Sequence, residues 1–327
     1  MAELVGVLFT SHGGCTVIPS SGWPDLRAPR SFREDVPFES QEEMDEKWAR
    51  TVAGKRALRS KLAELAPDVL VILGDDQEEC FGFDNFPALA VYLGGEMAAK
   101  PSGRAEEHDV HPENLPPVAP GHPALATHVL TGLLGAGFDP AFMMEMPRPE
   151  RGMAHAVMLP LGFFTDYEIP AVPVLLNAYY APQVSAKRCA EVGREVRRLI
   201  ESYPEDLRVV VIGSGGLWHT PRQERSWLNE DFDRTGLKYL EVGDVASWVE
   251  LFDGYRVAED DPGQDVMTVR RGVTGLPSPT GPQGGSRETL CWIAAAAVIE
   301  GLPSVVLDYI PIYASPVGNA FAYWQAD

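Results

Sequence analysis

Five positions in this sequence carry side chains suited to metal and proton chemistry. They are His12 in Ser11-His12-Gly13-Gly14, Gln77 in Asp75-Asp76-Gln77-Glu78-Glu79, His155 in Gly152-Met153-Ala154-His155, His219 in Gly213-Ser214-Gly215-Gly216-Leu217-Trp218-His219, and Glu288 in Ser286-Arg287-Glu288. Two histidines and one carboxylate that leave coordination positions open form the facial triad of non-heme Fe(II) oxygenases. A further histidine outside the metal can take and return a proton near neutral pH. Each position also has a plainer reading. His12 could cap a turn, the acidic run could face water, and Glu288 could serve the dipole of the helix it opens.

What joins the five is the kind of element each follows. Val69 to Leu73 is an unbroken apolar run, read as a strand buried on both faces of a sheet covered by helices, and it passes straight into carboxylates. Open α/β sheets collect ligands at the carboxyl ends of their strands. Leu4 to Thr10 is a first strand that delivers His12, and Leu207 to Ile212 is a strand that delivers His219 through a glycine turn. Those glycines lack the spacing of a nucleotide-binding fingerprint, so close backbone approach to a small ligand fits better. Ala171 to Asn177 is another strand, ending in Asn177-Ala178-Tyr179-Tyr180, and Val305 to Ile312 reads as the last. Between them lie helices over Ser40–Leu65, opened by a Ser40/Glu43 capping box, and over Ser185–Ser202, with Val192, Val196, Leu199 and Ile200 inward. Ala124 to Leu134 is a further helix, which makes His122 a helix-start residue and His128 a helix-face residue. His155 sits on a breaker-rich loop beside Arg148 and Arg151, and His108 and His111 fall in a solvated loop. The expected fold is α/β, a single domain over residues 1–327 with a mostly parallel central sheet flanked by helices.

Composition narrows the function classes. The chain has 327 residues and a formal net charge of -20, which repels phosphate backbones and anionic membranes, so neither nucleic acid nor membrane is an expected partner. A ligand with a carboxylate then needs local cations such as Arg148 and Arg151. The 4 cysteines are far apart and form neither a disulfide framework nor a zinc ribbon. With no signal-like N-terminus, a soluble cytoplasmic protein is expected.

The same residues, in order, resemble the class III extradiol ring-cleavage dioxygenases and their catalytic β subunits. The resemblance runs through Ser11-His12, Gly121-His122-Pro123-Ala124-Leu125-Ala126, the blocks Ser185 to Cys189, Glu201 to Leu207 and Gly213 to His219, Asn229-Glu230-Asp231-Phe232-Asp233, and Glu288 with Trp292. It implies a non-heme Fe(II) enzyme that opens a catecholic or related hydroxylated aromatic ring with O2. His12 and Glu288 would be metal ligands, and His219 the acid/base. His155 would be a further active-site histidine, with Arg148, Arg151 and Asn177 as substrate-binding residues. It also implies a homo-oligomer, with a small α subunit as a further partner. The departure is Asp75-Asp76-Gln77, where the family pattern reads Asn-Asp-His. An amide oxygen is a harder and weaker donor for Fe(II) than an imidazole nitrogen. Gln77 could ligate weakly, or Asp76, Glu78 or His219 could take the position. The site could also hold another divalent metal or none. A metal-free relative that binds a small aromatic ligand or a partner subunit, and a metal-independent hydrolase or lyase, are the competing readings.

Overall fold

The computed structural model describes residues 1–100, 117–220, 226–256, 280–282 and 284–326, so His108, His111 and most of the Glu259–Gly285 connection lie outside the described residues. An eight-stranded sheet runs through the middle of the chain. Its strands are β1 (Glu3–Thr10), β2 (Val69–Asp75), β3 (Leu89–Tyr92), β6 (Ala141–Met143), β7 (Ala171–Leu176), β8 (Arg208–Ser214), β9 (Val305–Ile312) and β10 (Val317–Gln325), while β4 (Glu96–Ala98) and β5 (Val118–Pro120) form a separate hairpin pair. The order is β6-β3-β7-β2-β8-β1-β10-β9. The four central strands β7, β2, β8 and β1 are parallel. Antiparallel pairings join β3 to β7 and β10 to both β1 and β9.

β2 and β7 are buried along their whole length, as apolar runs without alternation require. One face of the sheet is covered by α2 (Gln41–Leu65) and α4 (His155–Thr165). The other is covered by α3 (Pro123–Gly135), α5 (Ala186–Ser202), α6 (Glu230–Val242), α7 (Val245–Gly254) and α8 (Thr289–Val298). A short α1 (Trp23–Arg27) lies in the loop after β1. The expected capping box opens α2, with Ser40 N–H donating to Glu43 Oε2 at 2.7 Å and Glu43 N–H to Ser40 Oγ at 3.3 Å. His122 caps α3 by accepting from Leu125 N–H, and His128 faces the Leu199 carbonyl, so both are structural. The stripe that α2 buries runs through Gly54, where the Phe321 ring crosses.

Two expectations need correction. Val305–Ile312 is not the last strand. β10 follows it and lies between it and β1. His155 is not on a loop but is the first residue of α4. The region after Ser226 resolves into two separate helices, α6 and α7, capped by Asn229 and Asp244. Among the described residues no helix is long and apolar enough to cross a membrane.

Candidate metal and acid/base site

The carboxyl ends of β1, β2 and β8 lie side by side, because Thr10 pairs with Ser214 and Leu73 with Gly213. The residues just beyond them therefore meet. His12 follows β1, Asp75 closes β2, and Gly215 to His219 follow β8. Glu288 arrives from the far side, at the junction of a 3-10 turn (Gly284–Glu288) with α8. Arg287, fully buried, anchors that turn by donating to the carbonyls of Thr280, Pro282 and Val184. A Cβ on Gly215 would lie 2.6 Å from the Glu288 carbonyl oxygen, so the glycine is what lets β8 approach this closely. At Gly74 a Cβ would meet that of Ala156 at 2.9 Å; the bare backbone there brings the start of α4, and with it His155, over the site.

Glu288 is the hub. Its Oε1 accepts from His219 Nε2 at 3.0 Å and from Gln77 Nε2 at 2.8 Å, and its Oε2 accepts from Gly216 N–H at 2.8 Å. His12 Nε2 lies 3.2 Å from the same Oε2 and 3.7 Å from Asp75 Oδ1. Neither contact is aligned as a hydrogen bond, and His12 Nε2 and Asp75 Oδ1 are both buried without a partner. The other ring nitrogen of His12 contacts Ser214 Oγ at 2.9 Å. With Nδ1–H donated there, the Nε2 lone pair faces the site, the arrangement a second-shell partner imposes on a metal-ligating histidine. His12, Asp75 and Glu288 offer ligand atoms all within 4.8 Å of one another. Two orphaned buried atoms aimed at one point, beside a carboxylate, fit a divalent cation.

Electrostatics follows the geometry. Burial lowers the His12 pKa, keeping the ring neutral and able to ligate. Burial pushes the Asp75 carboxyl well above its usual range, and the charges of Glu288 and Glu79 add to this. Burial acts the same way on Glu288 but is outweighed by the charge of His219 and by its contacts with both histidines, so it is held well below the usual range. Burial opposes charge on His219 too, yet its pKa is raised. Its Nδ1 faces the Leu217 carbonyl at 2.9 Å and its Nε2 faces Glu288; both partners only accept, so both nitrogens carry protons.

Of the residues expected to meet, His12, Gln77, His219 and Glu288 do. His155 joins them, its ring centroid 4.6 Å from that of His12 and its Nδ1 donating to Glu79 Oε1 at 2.6 Å. Glu79 is itself held by Gln77 N–H. The expected alternatives to Gln77 are otherwise engaged. Asp76 faces away from the site and accepts from the backbone N–H groups of Glu78, Cys80 and Phe81, the shape of an Asx turn. Glu78, in the left-handed region at φ 73, accepts from Tyr180 O–H. Asn177 is not a substrate group, because its amide closes the turn to Tyr180 and Pro182. Arg148 is tied to Phe81 O and Asp84 away from the centre. Arg151 donates to Glu78 O and, with Gln77, Glu79, His155, Met158 and Phe163, lines a cavity of about 610 Å³. Asp75 is the site residue that the sequence reading passed over. The signal was parity along β2, since Asp75 shares a face with Leu73 while Asp76 points the other way.

Residues 36–269, more than half of the chain, match the family described as catalytic LigB subunit of aromatic ring-opening dioxygenase. That span includes Asp75, Gln77, His155 and His219, whereas His12 and Glu288 lie outside it. A gallate dioxygenase of Pseudomonas putida is 34% identical over 119 residues, which is 36% of this chain and 34% of the relative. Two proteins named 2,3-dihydroxyphenylpropionate/2,3-dihydroxicinnamic acid 1,2-dioxygenase are also similar. The one from a Rhodococcus species is 28% identical over 50% of this chain and 47% of its own length, and the one from Photorhabdus laumondii is 27% identical over 56% and 52%. The matched segments thus span about a third to a half of these relatives. A solved structure of an uncharacterized protein from Escherichia coli K12 aligns with 97% of this chain and 99% of its own at a TM-score of 0.46 and 16% identity. By the extent of the family match, the chain belongs to the family of catalytic LigB subunits of aromatic ring-opening dioxygenases.

Proposed function

We propose that this chain is the catalytic subunit of an extradiol-type dioxygenase that opens a catecholic or related hydroxylated aromatic ring with O2, using Fe(II). The observation that carries the reading is the pair of orphaned, buried atoms His12 Nε2 and Asp75 Oδ1 converging beside Glu288, with His219 bonded to the other oxygen of the same carboxylate. His12 and Glu288 would hold the metal, with Gln77 beside them. When bound, the metal supplies the point at which two adjacent substrate oxygens and O2 are brought together and activated.

The chain's own residues do the rest. His219 holds its Nε2 proton against Glu288 in the resting site; once that proton has been given up, Nε2 takes one from a substrate hydroxyl and returns it later, and the Leu217 carbonyl on Nδ1 keeps the ring oriented throughout. His155, oriented by Glu79, faces the same space from α4 and contacts a substrate oxygen there. The cavity beside it has apolar walls for a ring, from Met158 and Phe163, and Arg151 at hand for an acidic substituent. In this reading Arg148 supports the loop rather than the substrate. The apolar side chains exposed at the β6 edge, Phe142 and Met144, support assembly as a homo-oligomer or with a small α subunit.

The test is anaerobic loading with Fe(II), removal of excess, and O2 uptake against catechols, gallates and aminophenols. The expected result is about one iron per chain and a product heavier than the substrate by two oxygen atoms. A folded, iron-loaded chain that consumes no O2 with any of them would overturn the proposal.

A further inference from the structure

We infer that Asp75, and not Gln77, is the third protein ligand of the cation, so that the centre has one histidine and two carboxylates and accepts hard ions such as Mn(II) as readily as Fe(II). The inference deepens the reading above and rests on it for the presence of a cation.

Gln77 cannot easily serve as the ligand. Its Nε2 donates to Glu288 Oε1 at 2.8 Å and faces Asp75 Oδ2 at 3.3 Å. Both partners are carboxylate oxygens, which only accept when ionised, so the amide must present its NH2 to them. Turning the amide over would set its oxygen against two carboxylates. With the NH2 inward, Gln77 is a clamp that holds both carboxylates at a fixed separation. That leaves Asp75 Oδ1 and His12 Nε2 without hydrogen-bond partners in a fully enclosed place, with Asp75 0% and His12 2% exposed. A buried polar atom without a partner is a rare and costly state. Here two such atoms lie 3.7 Å apart, one a carboxyl oxygen and one a lone-pair donor, and Glu288 Oε2 is 3.2 Å from the histidine nitrogen. A cation satisfies all three.

The ligand set changes the charge of the centre. With a neutral imidazole and two carboxylates a divalent ion is neutralised, whereas two imidazoles and one carboxylate leave a net charge of about +1. Carboxylate oxygen in place of imidazole nitrogen also shifts preference from softer towards harder ions, which is the basis for expecting Mn(II) to compete.

The test uses the full chain under anaerobic conditions. Mn(II) binding is followed by the loss of the free-ion EPR signal, and Fe(II) binding by competition with a chelator, for wild type, Asp75→Asn and Gln77→Ala. Circular dichroism melting checks that each is folded. We expect about one ion per wild-type chain and Mn(II) and Fe(II) affinities within tenfold of each other. Asp75→Asn should weaken both at least tenfold to a hundredfold, and Gln77→Ala less than tenfold. Asp75→Asn binding within threefold of wild type overturns the inference, as does a wild-type chain that binds neither ion. Electron spin-echo modulation of Mn(II) in the wild-type chain gives an answer that needs no variant: one coordinated imidazole is expected, and two would overturn the assignment. The two readings fail separately. Asp75-dependent binding without O2 uptake sinks the dioxygenase and keeps the ligand, whereas O2 uptake undiminished in Asp75→Asn does the reverse.

Discussion

Asp233, on α6, offers a prediction whose size follows from its surroundings. It is fully buried and accepts from Trp218 N–H at 2.8 Å and Tyr309 O–H at 2.8 Å, tying α6 to the loop that carries His219 and to β9. Burial pushes its carboxyl from 3.8 up to about 7, although both hydrogen bonds and the charge of His219 act in the other direction. A folded-state pKa above the unfolded one means that, between the two, the folded chain keeps a proton the unfolded chain has lost. The stability this brings is complete below pH 3.8 and is lost as pH rises through 7. The whole difference is about 4 kcal/mol, of which about 2 kcal/mol falls between pH 5.5 and pH 8. Asp233→Asn removes the titration while keeping an acceptor for Trp218 N–H and placing an N–H against the Tyr309 oxygen. Urea unfolding of both chains across that range, with EDTA present so that metal does not enter, should show the variant gaining about 2 kcal/mol on wild type as pH rises. Other groups cancel in the difference. Asp233→Ala should show the same slope, displaced downwards by about 1–3 kcal/mol for each donor left unpaired. A difference that is flat with pH, or that moves in wild type's favour, would refute the reasoning, because it would mean the carboxyl is ionised throughout.

Further outcomes follow from the site. His219→Gln should keep its metal content and lose about 10²- to 10⁴-fold in turnover, the range for a positioned acid/base; metal analysis beside O2 uptake separates this from loss of a ligand. Gly215→Ala places a Cβ 2.6 Å from the Glu288 carbonyl oxygen, so it should lower stability by about 1–3 kcal/mol in thermal melting and weaken Mn(II) binding together, and an unchanged melting point would mean that the strand and the Glu288 turn are not held as closely as described. Arg287→Met removes the donor of three backbone carbonyls in a fully buried place. It should cost about 3 kcal/mol or more in urea unfolding, and a loss under 1 kcal/mol would show that water replaces the guanidinium.

The central strands were legible because parallel strands buried on both faces are apolar without alternation, as Val69 to Leu73 is, and Pro67-Asp68 before the run and Gly74 after it bound it at strand length. β10 was not, because Gly318, Asn319 and Ala320 dilute its apolar content; it is buried by its neighbours β1 and β9 rather than by its own pattern. The site was legible as a set of strand ends but not as a ligand set. That His12, Asp75 and Glu288 meet depends on the order β2-β8-β1, which is a property of the whole sheet. Asn177 shows the limit from the other side. A polar residue at a strand end can equally close its own turn, and only the hydrogen bonds to Tyr180 and Pro182 decide between the two.

Several carboxylates crowd this end of the sheet, and the way each is satisfied separates structure from chemistry. Asp76 is met by three backbone N–H groups, and Glu79 by Gln77 N–H and His155. Glu288 is met by Gly216 N–H, Gln77 and His219. Each of these has local donors that repay its burial. Asp75 has the Gln77 amide on one oxygen and nothing on the other, although it is the most enclosed. A chain with a net charge of -20 had ample room for its carboxylates on the surface. One left buried and half-partnered, beside a histidine whose lone pair faces the same point, is unfavourable without a cation and favourable with one. The imbalance at Asp75 therefore marks the acid that joins Glu288 in holding the cation, a distinction that the acidic run Asp75 to Glu79 does not reveal as a string of letters.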